Sequence, residues 1–363
     1  MAFASASASD HVRPVRRHGR ARAAALLAAG ALALAACGPG GSGASPGTGT
    51  PSPGTSPTGG GDGYPTGSIT IVVPFAAGGP TDTVTRLIGE PMGAELGVQI
   101  IIQNVAGAGG TVAAGQVAQA APDGYTVLMH HIGMSTAPSL YPDLEYDPLA
   151  DFETIGLVTE VPMTIVGKAD LPPDTLEELV TYVTDNIDTV TYANAGVGAA
   201  SHLCGLLIEQ AMNVDLTEAS YDGTNPAMTD LLGGHVHFMC DQTTDTTEQI
   251  LAGEIKGYAV TTRDPVASLP DLPVASEAGL DIEVSVWHGL YVPDGTPEAV
   301  VQRLTAALQV ALQDENVIEQ LGNLGTAPVS QDRATPEAHT QLLQEQIELW
   351  RPFLTAPSPS PSQ

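Results

Sequence analysis

The chain has 363 residues, with 41 Asp and Glu against 12 Lys and Arg and a formal net charge of −29. A surface so acidic repels phosphate backbones and anionic headgroups, which excludes nucleic acid as a partner. It gives a small anion no long-range attraction either, so an anion site here has to be built from local backbone donors.

Residues 1–36 are expected to be a signal segment rather than structure. Arg13, Arg16, Arg17, Arg20 and Arg22 form a basic region ahead of an Ala/Leu run from Ala23 to about Ala33. The run ends in Leu34-Ala35-Ala36-Cys37, the layout of a lipoprotein signal peptide with Cys37 as the acylated residue. A plain secretory signal and a membrane-spanning helix are the alternatives, and the run falls short of the roughly 20 residues a span needs. Two acyl chains on Cys37 predict a stable anchor, with the mature chain outside the cytoplasm and tethered to the membrane. It would face the periplasm or cell-wall space. Loss of residues 1–36 takes five Arg and one Asp and leaves seven basic against 40 acidic residues. Residues 37–67 are rich in Gly, Ser, Pro and Thr, and residues 355–363 read TAPSPSPSQ. Both are too poor in apolar side chains to fold, and they predict a disordered linker and a disordered tail.

Between them, short β-rich runs alternate with helical patterns, which predicts an α/β fold with a mostly parallel sheet. In chain order the expected strands are Ile69–Val73, Val98–Asn104, Thr126–His130, Thr154–Val158 and Met163–Val166. They continue with Thr189–Ala193, Thr217–Tyr221, His235–Cys240, Gly257–Thr261 and Trp287–Val292. The expected helices are Thr81–Leu96, Thr111–Ala120, Leu176–Asn186, Ser201–Met212, Pro226–Leu232, Thr246–Ala252, Pro297–Gln313 and Pro336–Trp350. Pro91 predicts a kink or early end in the first of these. Asn225-Pro226 reads as an N-cap followed by Pro at the first helical position, and Gly233 as the glycine just past the end. Asp123-Gly124 reads as a tight turn.

Two junctions carry the functional signal. In Ile69–Arg86 (ITIVVPFAAGGPTDTVTR) a buried strand breaks at Pro74, passes a Gly-Gly loop and enters a helix at Thr81-Asp82. Such a loop presents unpaired N–H groups at a helix N-terminus, a cup for a carboxylate or phosphate. An ordinary βα turn is the competing reading. Tyr192–Leu203 (YANAGVGAASHL) repeats the pattern, with Ser201 as the expected cap. Facing each other across a cleft, the two would grip the ends of one small ligand, and no metal or cofactor is needed for that.

VVPFAAGGPTD (Val72–Asp82), N-x-x-G-A-G-G from Asn104, APDGYT from Ala121, YANAGVGAASHL, YDGTNPAMTDLLGGHV from Tyr221, LPDLPVASEAGL from Leu269 and the run Trp287–Pro297 occur in order. Together they resemble the extracytoplasmic solute receptors of tripartite tricarboxylate transporters, the Bug family, over about residues 66–352. The resemblance implies a two-lobed periplasmic-binding-protein fold of the Venus-flytrap type. It implies a first lobe from residues 68–160 and 288–354, a second from 161–287, and hinge crossovers near Gly156–Lys168 and Glu283–Pro293. It implies a non-enzymatic receptor that binds a small carboxylate or amino-acid-like ligand and passes it to membrane permease subunits. Carried over residue by residue, it implicates Phe75, Ala77, Gly78, Gly79, Thr81 and Asp82 in lobe 1. In lobe 2 it implicates Ala195, Gly196, Gly198, Ser201 and His202. The chain departs from the pattern at Gln103-Asn104-Val105-Ala106, at Asp222 where relatives often carry Lys, and at Pro80, which removes one N–H. Losing that cation puts a di- or tricarboxylate ligand in doubt.

Other residues leave alternatives open. Cys204 and Cys240 form a bridge or stay two buried thiols. Asp241, after an expected strand, contacts ligand or is solvated. His130, His131, His235, His237 and His288 lack a ligand frame for a metal and read as structural. An exported hydrolase is the competing function, although no G-x-S-x-G elbow is present and the adjacent Ser201 and His202 cannot pair.

Overall fold

The computed structural model describes residues 63–355; the signal, the lipidation residue Cys37, most of the linker and the end of the tail lie outside the described residues. The first strand, β1 (Ile69–Val73), is the apolar run read from the sequence, ended by Pro74. It pairs in parallel with β2 (Ile100–Asn104) and β3 (Thr126–His131). Next to β3, antiparallel, lies β9 (Ser285–Pro293), and beyond it β4 (Phe152–Lys168).

β4 joins two halves of one mixed sheet. Its first part pairs with β9 as far as Pro162 opposite Ser285. Its second part starts at Met163 opposite Gln242 of β7 (Phe238–Gln242), and it also takes β8 (Ile255–Val260) on its other side. From β7 the second half continues in parallel through β5 (Thr191–Asn194) to β6 (Thr217–Ser220). The sequence divides this element into two strands because Glu160 and Pro162 interrupt the apolar pattern. The chain instead places Pro162 where β4 changes partners, so its missing N–H interrupts neither ladder. Both segments expected as crossovers are thus strands, hydrogen-bonded to each other. Parallel pairing is confined to the outer strands, and the middle is antiparallel.

Helix α1 (Pro80–Leu96) follows β1 with Gly79 as N-cap and Pro80 in the first turn. It does not end early at Pro91 but runs 17 residues, burying Val84, Ile88, Met92 and Leu96. Each such side chain stabilises by roughly 1.5–3 kcal/mol, enough together to outweigh the ~3 kcal/mol cost of an interior Pro. Then come α2 (Thr111–Ala118), α3 (Gly133–Leu140), α4 (Leu176–Asp185), α5 (Ala200–Met212), α6 (Thr224–Leu232) and α7 (Thr243–Ala252). The last three are α8 (Glu298–Ala311), α9 (Glu315–Asn323) and α10 (Pro336–Thr355).

Both caps of α6 differ from expectation. Helix α6 starts at Thr224 with Gly223 as N-cap, so Asn225 and Pro226 lie inside its first turn. Gly233 keeps a right-handed backbone, and Gly234 beyond it takes the left-handed one at φ 72°. A disulfide joins Cys204 of α5 to Cys240 of β7, with their Cα atoms 6.1 Å apart. The described residues belong to one compact unit, and none of its helices is long and apolar enough to cross a membrane.

Candidate functional site

Strand β1 and strand β5 each end in a short loop that delivers a helix N-terminus to the same place. From the first half come Phe75, Gly79, Pro80 and Thr81; from the second come Ala195, Ala199, Ala200 and Ser201. His131, Thr224, Asp241 and Gln242 complete a narrow cleft between the halves. It offers about 10 Å³ to the centre of a water-sized sphere, so the walls are drawn together. Phe75 packs on Ala195 and Ala199, an apolar contact between one half and the other.

The walls also bond directly. Asn225 Nδ2 donates to the Ala77 carbonyl at 2.9 Å, and the Ala76 N–H donates to the Asp222 carbonyl at 3.2 Å. On the opposite rim Tyr141 Oη donates to the Val197 carbonyl at 2.7 Å. Gly109 sits under that carbonyl so closely that a Cβ there would lie 1.7 Å from the Val197 oxygen.

Of the twelve residues expected from the sequence, Phe75, Gly79, Thr81, Ala195, Ser201 and Asp241 line the cleft. Ala77, Gly78, Asp82, Gly196, Gly198 and His202 are not among its walls, and their polar groups hold the two loops in shape. Asp82, 2% exposed, accepts from the Gly78 N–H at 2.9 Å, from Arg86 Nε at 2.8 Å and Nη2 at 3.0 Å, and from Asn104 Nδ2 at 3.0 Å. Burial pushes its carboxyl up, but the hydrogen bonds from Arg86, Gly78 and Asn104 outweigh this and hold it below the usual carboxylate range. Asn104 also donates to the Phe75 carbonyl, so one clasp fixes the whole first loop.

The second loop is organised alike. Ser201 does not cap α5, whose N-cap is Ala199; its Oγ accepts from the Ala195 N–H at 2.8 Å. Asn194 Oδ1 accepts from Gly196 N–H at 2.9 Å, and His202 Nδ1 accepts from Gly198 N–H at 3.2 Å. Burial lowers the His202 pKa, and burial with Glu209 nearby pushes Glu218 up to about 7. Their contact at 3.9 Å therefore involves a neutral imidazole and is not an ion pair.

These bonds occupy four of the N–H groups in the two glycine loops. The N–H groups of Gly78, Ala195, Gly196 and Gly198 are taken by their own loops. Further donors belong to the first helical turns. The first bonds within the helices run from Thr83 N–H to Gly79 and from Leu203 N–H to Ala199. Thr81 and Asp82, and Ala200, Ser201 and His202, keep N–H groups without intrahelical partners. Both turns add the positive end of a helix dipole to the cleft.

Sequence reasoning missed His131, Thr224 and Gln242. His131 and Gln242 end strands β3 and β7 on the cleft side, the position where open α/β sheets carry their ligands, and that was the available signal. His131 Nδ1 accepts from the Gly133 N–H at 2.9 Å, which leaves Nε2 as the protonated nitrogen. His130 and His288 pack edge-on against it at centroid distances of 5.1 and 5.9 Å. Burial lowers the pKa of all three, to about 4 for His130 and about 3 for His288. They are neutral rings under the cleft. Among the described residues no three His, Cys, Asp or Glu are grouped to hold a metal ion.

The tripartite tricarboxylate transporter family receptor pattern matches residues 84–357 of the chain. A UPF0065 protein of Agrobacterium vitis, from the TAR-I ttuE-ttuC' intergenic region, is 50% identical over 79% of this chain and 83% of its own. The solved periplasmic binding protein BugD is 48% identical, covers 80% of this chain and 97% of its own, and superposes with a TM-score of 0.79. MatC from Rhodopseudomonas palustris, solved with bound malate, is 40% identical over 80% of this chain and all of its own, with a TM-score of 0.78. The fold shared with them is the α/β, two-lobed fold of periplasmic binding proteins.

Proposed function

The chain belongs to the tripartite tricarboxylate transporter receptor family of solute-binding proteins, and on that footing we propose that its cleft captures a small carboxylate for a membrane permease. The observation that carries the reading is the convergence of two helix N-termini, α1 and α5, from the two halves of the sheet on one cleft. Unpaired first-turn N–H groups replace water around a carboxylate, each terminus contributing about 0.3–2 kcal/mol. The bound malate of MatC, a carboxylate, agrees with this chemistry.

Residues 68–160 with 288–354 would form one lobe and 161–287 the other, the crossovers β4 and β9 flexing between them. A ligand closes such a protein only by the extra affinity it has for the closed state. Export and acylation at Cys37 would tether the receptor to the extracytoplasmic face, with residues 37–67 as spacer. The competing hydrolase gains nothing from Ser201 and His202, since both side chains hold loop backbone.

The test is a thermal-shift screen of the mature chain against mono-, di- and tricarboxylates and amino acids. A ligand of the folded state alone stabilises by about 2.7 kcal/mol at a hundredfold over Kd. The receptor reading expects a selective hit that is returned unchanged after prolonged incubation. Gly79→Val is expected to abolish that hit and leave folding intact, because a Cβ at Gly79 meets nothing closer than 3.7 Å while the larger side chain intrudes on the cleft. Turnover of the hit, or full affinity in Gly79→Val, would overturn the reading. Radiolabelled palmitate incorporated by the wild type and lost in Cys37→Ser would establish the anchor.

A further inference from the structure

Strands β2, β6 and β8 each pair with a single strand of the sheet. Such an edge presents unpaired N–H and C=O groups to any extended chain, and proteins ordinarily guard it with charge or cover. Glu218 stands on β6 and Lys256 on β8, and a bridge from Val260 to Val274 covers the end of β8. β2, with the sequence IIIQN, carries no charge, and among the described residues no segment pairs with its outer side.

The Gln99 carbonyl accepts from the Ile69 N–H at 3.0 Å, and the Val105 N–H donates to the Val73 carbonyl at 2.9 Å, so both residues face β1. Alternation along the parallel register turns the N–H and C=O groups of Ile100, Ile102 and Asn104 away from the sheet. The side chains add an apolar rim. Ile101 is 43% exposed, and an open groove of about 660 Å³ runs between α1 and the half-buried Ile100 and Ile102.

We propose that β2 pairs antiparallel with β2 of a second copy about a two-fold axis at Ile102, continuing the sheet from one receptor into the next. The outward groups are symmetric about that residue. Ile102 exchanges both bonds with its own counterpart, and Ile100 exchanges with Asn104 of the second copy. Every outward donor meets an acceptor, and the exposed Ile101 lies across from Gln103. Charge favours a second copy at this strand. With a net charge of −29 two copies repel over most approaches, whereas β2 brings no charge of its own to the contact. The Gly- and Pro-rich linker and tail of the same chain are poor strand formers and do not compete. β1 and β3 separate β2 from β9 and β4, so pairing leaves the two crossovers untouched.

The experiment is sedimentation equilibrium of the chain from Gly38 onward, which keeps the whole compact unit and lacks the acylated cysteine. A short edge makes a small, weak interface, so the average mass is expected to climb from monomer towards dimer between about 10 µM and about 1 mM. Raising salt to about 0.5 M is expected to strengthen association several-fold, since it screens repulsion between the acidic surfaces. Mild oxidation is expected to cross-link Ile102→Cys, whose Cα atoms would lie about 5.5 Å apart across the axis, and not Ile100→Cys. The double variant Ile101→Glu, Gln103→Glu sets like charges opposite each other and is expected to stay monomeric. Ile101→Lys, Gln103→Glu sets opposite charges there and is expected to restore the dimer. Ile101 and Gln103 are both exposed, so these pairs leave the fold intact and decide the matter should Ile102→Cys fail to fold. A wild type that stays monomeric at every concentration would overturn the proposal, whether the edge then stays bare or takes a strand of another protein. So would association that survives in Ile101→Glu, Gln103→Glu, or cross-linking of Ile100→Cys as readily as of Ile102→Cys.

Discussion

Asn225, in the first turn of α6, donates its side-chain N–H to the carbonyl of Ala77, 148 residues earlier in the loop that leads into α1. The sequence marks the same residue as a cap for its own helix. In the fold Gly223 takes that role, and the amide is free to reach the other half of the sheet. The bond closes one rim of the cleft and contributes nothing within either half.

Asn225→Ala is therefore expected to act on closure. An exchanged hydrogen bond of this kind is worth about 0.5–1.5 kcal/mol, so ligand affinity falls about twofold to tenfold while the melting temperature of the ligand-free protein hardly moves. Small-angle scattering should show the ligand-free variant more expanded than the wild type. Unchanged scattering together with unchanged affinity would mean that the rim bond does not bias the two lobes.

Much of the fold was legible because burial and punctuation agreed locally. The stretch Ile69–Val73 is a continuous apolar run with Pro after it, and its bounds came out as read. The helix at Gly133–Leu140 was not legible: GMSTAPSL contains Gly, Ser, Thr and Pro138, and its helicity comes from burial of Met134 and Ala137 rather than from propensity. The helix Glu315–Asn323 does carry a signal in the sequence, an Asp314 cap with Val317 and Leu321 four apart. In the site, sequence could name the loops but not sort their residues. Gly78 and Gly79 are neighbours of one type, yet the first N–H serves Asp82 and the second residue faces the cleft. That distinction depends in part on Asn104 arriving from the end of β2, which no local pattern encodes.

Asp82 illustrates the consequence. Four hydrogen bonds saturate its carboxylate, and it is not part of the cleft wall. Asp82→Ala is expected to cost about 2 kcal/mol, a figure discounted because Arg86 is half exposed, and to leave the order of ligand preference as it was. Its depressed pKa fixes the pH dependence. The stabilisation is present above the ordinary value of 3.8 and is lost as pH falls through the folded value below it. Urea unfolding should show a gap between wild type and variant at pH 7 that narrows as pH falls below 3.8. A changed ligand ranking would return Asp82 to the binding wall.

The bridge between Cys204 and Cys240 ties the helix that lines one side of the cleft to the strand residue before Asp241. Closing a separation of 36 residues removes unfolded-state entropy worth about 3–4 kcal/mol. The double variant Cys204→Ala, Cys240→Ala is expected to lose about that much in urea unfolding and also to bind its ligand more weakly, as α5 and β7 move apart. Both sulfurs are fully buried, so a reductant should act on the native protein only through unfolding. Rapid reduction under native conditions, followed by thiol labelling, would contradict this placement.

His339 of α10 offers the plainest pH test because it stands away from the cleft. It is fully buried against Tyr291 and Trp287, with ring centroids at 4.4 and 5.8 Å, and neither ring nitrogen has a protein partner. Burial lowers its pKa to about 3. The unfolded chain takes up this proton below about pH 6.5 and the folded chain only near pH 3, so acid favours unfolding throughout that interval. His339→Leu keeps the volume and removes two unpaired polar atoms, and is expected to gain about 1–3 kcal/mol at pH 7. The gain should widen by about 2–3 kcal/mol at pH 4.5, where the wild-type ring is still neutral inside and protonated outside. Asp241, Asp245 and Glu218 have raised pKa values and act with the opposite sign, but they are common to both proteins and cancel in the difference. Urea midpoints at pH 7 and 4.5 give the comparison. A gap that stays constant between them would mean that His339 titrates in the folded protein as it does in water.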